Sequence, residues 1–175
     1  MNIEIILREA QKKLDGKTHS KKLDAEILLK KTLSVSRSFL ISHKHKILTN
    51  KETKEYFSLV ERRLDKEPIA YIIGEKEFWS LQLIVSSATL VPRPETELLV
   101  EETVKIIPKE SQKFILELGT GCGAIAIAIA KERPLSMVVA SDISMAALKI
   151  AKKNINKHQI NNVFLTQGDW LNPIK

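Results

Sequence analysis

The chain has 175 residues, 43% of them hydrophobic, and a formal net charge of +7. This length allows one large domain or two small ones, and no segment approaches the roughly 20 consecutive apolar residues of a membrane-spanning helix. A single cysteine excludes an internal disulfide framework and is typical of a protein from the reducing cytoplasm.

The first 70 residues are predicted to form a small bundle of four helices. Three stretches carry apolar residues at helical spacing, and a short helix from residue 36 to 42 lies between the second and the third. Thr49 and Glu52 form the pattern of a capping box at the start of the last helix, which stops before Pro68. The apolar positions are Ile3, Ile6, Leu7, Ala10 and Leu14 in the first stretch, Leu23, Ile27, Leu28 and Leu33 in the second, and Tyr56, Phe57, Val60 and Leu64 in the last.

Most of the positive charge lies in this helical part. Residues 1–67 carry 16 Lys and Arg against 10 Asp and Glu, a net +6, whereas residues 68–175 carry a net +1. A basic surface favours an acidic partner, either protein or nucleic acid. A solvated, lysine-rich helical surface explains the same charge without a partner.

The apolar pattern of residues 78–85 predicts a β-hairpin that links the bundle to the rest of the chain. A helix is then predicted from about Glu95 to Ile107, preceded by Pro-Arg-Pro at positions 92–94. The two prolines fix φ on either side of Arg93 and hold it in an extended segment. Thr96, in the first turn, is a candidate cap or ligand contact. A plain helix start does not need Pro-Arg-Pro, so we favour a functional role for Arg93 over an ordinary helix entry.

The stretch from Phe114 to Ala130 predicts a strand, a glycine turn and a buried helix, with glycines at positions 119, 121 and 123. This order brings a ligand close to bare backbone at a helix N-terminus. The next apolar segment, residues 137–140, ends in Ser141 and Asp142. An acid at the tip of the second strand of a βαβ unit can accept hydrogen bonds from both hydroxyls of a ribose. The stretch therefore predicts binding of a nucleoside-containing cofactor.

The C-terminal part is predicted to be α/β with a parallel sheet. Ser144 is a plausible N-cap for a helix that ends near Ile155, and a third strand is predicted over residues 163–166. Three strands leave a sheet edge uncovered, so we expect the chain to be a fragment of a longer protein.

The glycine turn alone leaves two cofactors open. Its residues 119–124 also satisfy the G-x-G-x-x-A fingerprint of dinucleotide-binding proteins. Glu117, however, places a carboxylate two residues before the first glycine, where a pyrophosphate would lie near an uncompensated anion. S-adenosylmethionine has no phosphate and carries cationic ammonium and sulfonium groups, which suit that carboxylate. We therefore favour a methyl donor over a nicotinamide dinucleotide.

Three motifs resemble the HemK/PrmC family, the release factor glutamine methyltransferases. They are Leu-Glu-Leu-Gly-Thr-Gly-Cys-Gly at positions 116–123, Glu-Phe-Trp-Ser at 77–80 and Leu-Val-Pro-Arg-Pro-Glu-Thr-Glu at 90–97. The resemblance spans nearly the whole chain. It implies a helical domain that docks the protein substrate (residues 1–70), a hairpin linker (71–91) and the first part of a Rossmann-like S-adenosylmethionine-binding domain (92–175). The implied substrates are class I peptide chain release factors, methylated on the glutamine amide of their Gly-Gly-Gln motif.

The resemblance also implies roles for individual residues. The methionine part of the cofactor would be held by Glu117, Gly119, Thr120, Gly121, Cys122 and Gly123. Asp142 would bind the ribose hydroxyls, Asp169 and Trp170 would flank the adenine, and Arg93 and Thr96 would close the site. Core packing is the competing interpretation for Trp170, and Cys122 is interpreted as a small residue that fills the turn. No metal-ligand spacing occurs.

Relatives orient the acceptor amide with an Asn-Pro-Pro-Tyr motif that is absent from this sequence, and residues 172–175 (Asn-Pro-Ile-Lys) are interpreted as a turn. No catalytic residue is therefore predicted, and we expect these 175 residues alone to be inactive. We expect a cytoplasmic monomer that does not bind nucleic acid directly. A nucleic-acid amino-methyltransferase and a non-catalytic release-factor-binding fragment are the alternatives.

Overall fold

The structure, a computed structural model, describes residues 1–170. The chain divides into two compact units, Met1–Ile73 and Gly74–Lys175. Within the described residues, no helix is both long enough and apolar enough to cross a membrane.

The first unit is helical. It contains α1 (Ile3–Lys13), α2 (Lys21–Leu33), α3 (Arg37–Ser42), α4 (Asn50–Leu64) and α5 (Ile69–Ile73). The predicted capping box is confirmed, because the Thr49 hydroxyl accepts from the Glu52 N–H and the Glu52 carboxylate accepts from the Thr49 N–H. The short helix α5 was not predicted. Pro68 lies after the end of α4, but its carbonyl accepts from the N–H groups of Tyr71 and Ile72, which closes a new helical turn.

The core of this unit is formed by the apolar stripes of α1, α2 and α4. Of the five apolar positions predicted for the first helix, Ile3, Ile6, Ala10 and Leu14 are fully buried, and Leu7 is partly buried against the same core. The stripe predicted for α2 is partly wrong: Leu23 is 50% exposed, whereas Leu29 is buried. The helix packs against α1, α3, α4 and α5 rather than against one neighbour, so a single narrow stripe does not describe its buried surface.

The second unit opens with the predicted hairpin, formed by β1 (Glu75–Phe78) and β2 (Leu81–Ile84). Trp79 and Ser80 connect the strands as a two-residue turn with φ values of 51° and 55°. The backbone N–H of Trp79 donates to the Glu97 carboxylate at 2.8 Å, and its indole N–H donates to the Glu132 carboxylate at 3.0 Å. The turn is therefore fastened to two helices of the same unit.

A three-stranded parallel sheet follows. A 3₁₀ turn at Pro94–Thr96 leads into α6 (Glu97–Ile106), and the order then continues as β3 (Phe114–Leu118), α7 (Ala124–Glu132), β4 (Met137–Asp142), α8 (Met145–Lys157) and β5 (Val163–Gln167). The strands lie in the order β3-β4-β5, all parallel. The predicted fold class, a helical bundle followed by a hairpin and an α/β part, is confirmed. Parallel strands bring their carboxyl ends to one edge, which places the glycine turn beside the ends of β4 and β5.

Candidate functional site

The glycine turn connects β3 to α7 and depends on residues that tolerate a left-handed backbone. Gly119, Gly121 and Gly123 have φ values of 78°, 56° and 83°. A Cβ at Gly123 would also lie 3.1 Å from the Ile127 side chain and 3.2 Å from that of Ala151, because α7 and α8 approach closely there. The turn therefore presents bare backbone at the start of α7, as its sequence predicts.

The end of β4 fixes the start of the turn. The N–H groups of Gly119 and Thr120 both donate to the Ser141 carbonyl, at 2.9 and 2.8 Å. The next residue, Asp142, accepts from the Gly121 N–H at 2.8 Å and, through its other oxygen, from the Ser144 N–H at 2.9 Å. Each carboxylate oxygen keeps further acceptor capacity, because an ionised carboxylate has about four acceptor positions. Asp142 thus orders the turn and can still accept from a ligand.

Glu117 lies on β3 beneath the turn. One oxygen, Oε2, accepts from the Thr120 hydroxyl at 2.7 Å and from the Ala126 N–H at 3.1 Å, which satisfies a free donor in the first turn of α7. Within residues 1–170 the other oxygen has no protein hydrogen bond. Burial raises the pKa of this carboxyl, and the negative charge of Asp142 adds to the rise, while the two hydrogen bonds oppose it. When both groups are ionised, the two carboxylates create a negative potential around the turn.

A cavity of about 200 Å³ lies beside the turn at the carboxyl ends of the strands. Its lining includes Gly119, Asp142, Asp169 and Trp170 from the predicted site, together with Leu118, Ser141, Ile143 and Gly168. Trp170, one of these lining residues, is 73% exposed, and its role toward the adenine stays a prediction. Ligand pockets typically span about 300–1,000 Å³, so this cavity accommodates a part of a cofactor. Glu117 does not line it.

The matches with known proteins fall into the same two parts as the structure. The family model described as "PrmC N-terminal domain" matches residues 6–74, and the one described as "Methyltransferase small domain" matches residues 93–175. The release factor glutamine methyltransferase of Coxiella burnetii is 44% identical over 97% of this chain and 61% of its own length. That of Escherichia coli K12 is 42% identical over 96% of this chain and 60% of its own length. The chain is therefore similar to release factor glutamine methyltransferases over nearly its whole length.

The chain thus spans less than two thirds of the length of these relatives. Among solved structures, M. jannaschii TYW2 in complex with AdoMet is 17% identical over 54% of this chain and 42% of that one, with a TM-score of 0.47. This structural likeness is too weak to bear on function.

Arg93 and Thr96, which the family resemblance places at the cofactor site, do not line the cavity described above. Arg93 is exposed and precedes the 3₁₀ turn. The suggestion that Thr96 caps the following helix is wrong, because its side chain makes no cap hydrogen bond and its backbone is already helical. A role for these two residues toward the cofactor stays a prediction.

Cys122 is 2% exposed in the middle of the turn, and burial raises the pKa of its thiol to about 11. The thiol is therefore protonated at neutral pH, which favours the interpretation as a space-filling residue over a nucleophile. In residues 1–170, no three His, Cys, Asp or Glu side chains are grouped as metal ligands.

Sequence reasoning missed two groups that order the turn. One is the Ser141 carbonyl, a backbone group that leaves no signal in the sequence. The other is Asn154 on α8, which is fully buried and donates to the Cys122 carbonyl at 2.9 Å. Asn154 did leave a signal, because it is a polar residue at the helical spacing of the buried Ala147, Ala151 and Ile155.

Proposed function

We propose that this chain carries the S-adenosylmethionine-binding part of a release factor glutamine methyltransferase. The whole protein would methylate the side-chain amide nitrogen of the glutamine in the Gly-Gly-Gln motif of class I peptide chain release factors. The observation that carries the proposal is the carboxylate of Glu117 beside a glycine turn, in a chain whose relatives bear that name at 44% identity. Cytoplasmic location and a monomeric state belong to the same proposal.

The residues around the turn fit a cationic nucleoside better than a dinucleotide. Glu117 has one oxygen without a protein partner in the described residues, and Asp142 lies close enough to raise its pKa. Two carboxylates beside the turn repel a pyrophosphate and attract an ammonium or sulfonium group. When bound, the cofactor supplies an electrophilic methyl group.

The division of roles follows from this chemistry. Glu117 and residues 119–123 would hold the methionine part, and Asp142 would accept from the ribose hydroxyls. Asp169 and Trp170 would flank the adenine, with the exposed indole as a stacking surface. The contacts of Arg93 and Thr96 would form only when the site is closed over the cofactor. The helical unit would dock the release factor, and its net charge of +6 supports an acidic docking surface on that partner.

The acceptor side of the reaction needs groups that this chain does not provide. An amide nitrogen is a poor nucleophile, so the amide must be oriented by acceptors on its N–H groups. No Asn-Pro-Pro-Tyr stretch occurs in the sequence, and the Asn-Pro-Ile-Lys segment at 172–175 lies outside the described residues. We expect these 175 residues to bind the cofactor without methylating a release factor.

Transfer of a labelled methyl group to purified release factor tests this proposal, with the full-length Coxiella burnetii relative as the positive control. A release factor whose Gly-Gly-Gln glutamine is replaced by alanine is the negative control. We expect no transfer above that control by the 175-residue chain and transfer by the relative. Transfer at the relative's rate would contradict the expectation that these 175 residues lack the acceptor groups. Transfer to DNA or RNA in parallel reactions would contradict the proposed function and favour the nucleic-acid alternative.

A further inference from the structure

Asn154 is a fully buried polar residue in a helix whose other buried positions are apolar or alanine. Burying an amide costs free energy unless its groups are hydrogen-bonded, so its partners explain why it is tolerated there. They lie in two different elements, neither of which is next to α8 in the sequence.

Both hydrogens of the Asn154 side-chain nitrogen are donated, and the side-chain oxygen accepts one hydrogen bond. Its oxygen accepts from the Ile84 N–H at 2.7 Å, and its nitrogen donates to the Ile84 carbonyl at 2.9 Å. The second hydrogen of the same nitrogen is donated to the Cys122 carbonyl, also at 2.9 Å. One buried side chain thus links the last residue of β2 to Cys122, near the end of the glycine turn.

The glycine turn needs such a restraint. Glycines have more backbone freedom to lose than other residues, so three of them at alternate positions do not hold a conformation by themselves. Ser141 and Asp142 fix the start of the turn from β4. Asn154 fixes its end from α8, one helical turn after Ala151, whose side chain lies against Gly123.

The geometry points to Asn154 as a positioning residue for the cofactor site. It holds the Cys122–Gly123 end of the turn in the conformation that receives the ligand and ties that end to the hairpin. It does not contact the ligand. This role goes beyond the cofactor contacts proposed above, although its affinity readout rests on that proposed function.

If Asn154 had only a structural role, replacing it would lower the global stability without changing the turn. The accessibility of Cys122 distinguishes that case from a positioning role. It is the only cysteine in the sequence, it is buried, and it is the residue whose carbonyl Asn154 holds. The rate at which a thiol reagent labels it under native conditions therefore reports local opening of the turn.

The test compares Asn154→Ala and the milder Asn154→Ser with Ile155→Ala, which removes a buried side chain from the next position of α8 and leaves the hydrogen bond to the turn intact. Labelling is measured on folded protein, and the global stability of each variant is measured by urea unfolding. We expect labelling of the Asn154 variants to be about tenfold faster than that of Ile155→Ala at equal global stability, because a buried carbonyl loses its donor. S-adenosylmethionine affinity is expected to fall about tenfold in the same variants and to change less than threefold in Ile155→Ala.

Equal labelling of Asn154→Ser and Ile155→Ala at matched stability would overturn the inference. If Asn154→Ala does not fold, Asn154→Ser decides the comparison. Wild-type protein that does not bind S-adenosylmethionine would refute the proposed function, while the labelling rates would still decide the role of Asn154.

Discussion

Glu117 is a largely buried carboxyl group that has no basic side chain as a partner among residues 1–170. Its pKa is raised first by burial and then by Asp142, whereas the bonds from the Thr120 hydroxyl and the Ala126 N–H lower it. The folded protein therefore binds the proton of the Glu117 carboxyl more tightly than the unfolded chain does. The protonated group contributes stability below the unfolded pKa of about 4.3, and this contribution is lost as the pH rises through the folded pKa. Ionisation of Glu117 therefore lowers the stability of the folded state, and we take cofactor binding to be the reason for a carboxyl group at this buried position.

We predict that Glu117→Gln changes how stability depends on pH. The amide keeps an oxygen that can accept from Thr120 or Ala126, but it cannot ionise. Relative to wild type, the variant is expected to gain unfolding free energy as the pH rises above the unfolded pKa of about 4.3, measured by urea unfolding at pH 4 and at pH 8. Glu110→Gln, which alters an exposed carboxylate in the same unit, is the control and is expected to show no such gain. A constant difference between Glu117→Gln and wild type at both pH values would contradict the account.

At the scale of secondary-structure elements, the turn of the hairpin has an unfavourable backbone conformation. Hydrogen bonds to two neighbouring helices compensate part of its cost. A two-residue hairpin turn with positive φ at both positions normally contains Asn-Gly or Asp-Gly, whereas here it contains Trp79 and Ser80. Trp79 is compensated by its bonds to Glu97 and Glu132. Ser80 is exposed and has no such bond.

Ser80→Gly is therefore expected to stabilise the protein. A left-handed conformation costs a residue with a side chain about 1–2 kcal/mol, and the larger entropy loss of glycine takes back about 0.5–1 kcal/mol, so a net gain of about 0.5 kcal/mol is predicted. The matched control is Lys152→Gly in the middle of α8, which is expected to lose about 1 kcal/mol. Urea unfolding measures both. A loss at Ser80 as large as that at Lys152 would show that the turn is not strained.

The elements that could be predicted from the sequence are those whose signals are local. The strand before the glycine turn, the start of α7 after Gly123, the Ser144 cap and the capping box at Thr49 each depend on a few neighbouring residues. The short helix α5, the multi-sided burial of α2 and the bonds of Asn154 depend on contacts between distant segments. In the candidate site, residue types and spacing predicted the carboxylates, but only the fold could show that Asp142 holds the turn itself.

For the whole molecule, positive charge and the glycine turn lie in different units. The helical unit carries a net +6 over residues 1–67, while the α/β unit presents two carboxylates at its turn. This separation suits a protein that binds an acidic macromolecule with one part and a small cationic cofactor with the other. In this proposal, a carboxylate ahead of the glycine turn selects a phosphate-free, positively charged methyl donor.

Isothermal titration of wild type and Glu117→Gln with S-adenosylmethionine and with NADH measures this selection. We predict that wild type binds S-adenosylmethionine at least about tenfold more tightly than NADH. The affinity of Glu117→Gln for S-adenosylmethionine is expected to be about tenfold lower than that of wild type, in line with the loss of a hydrogen bond to a charged group. Tighter binding of NADH by wild type, or unchanged S-adenosylmethionine affinity in Glu117→Gln, would contradict this selection.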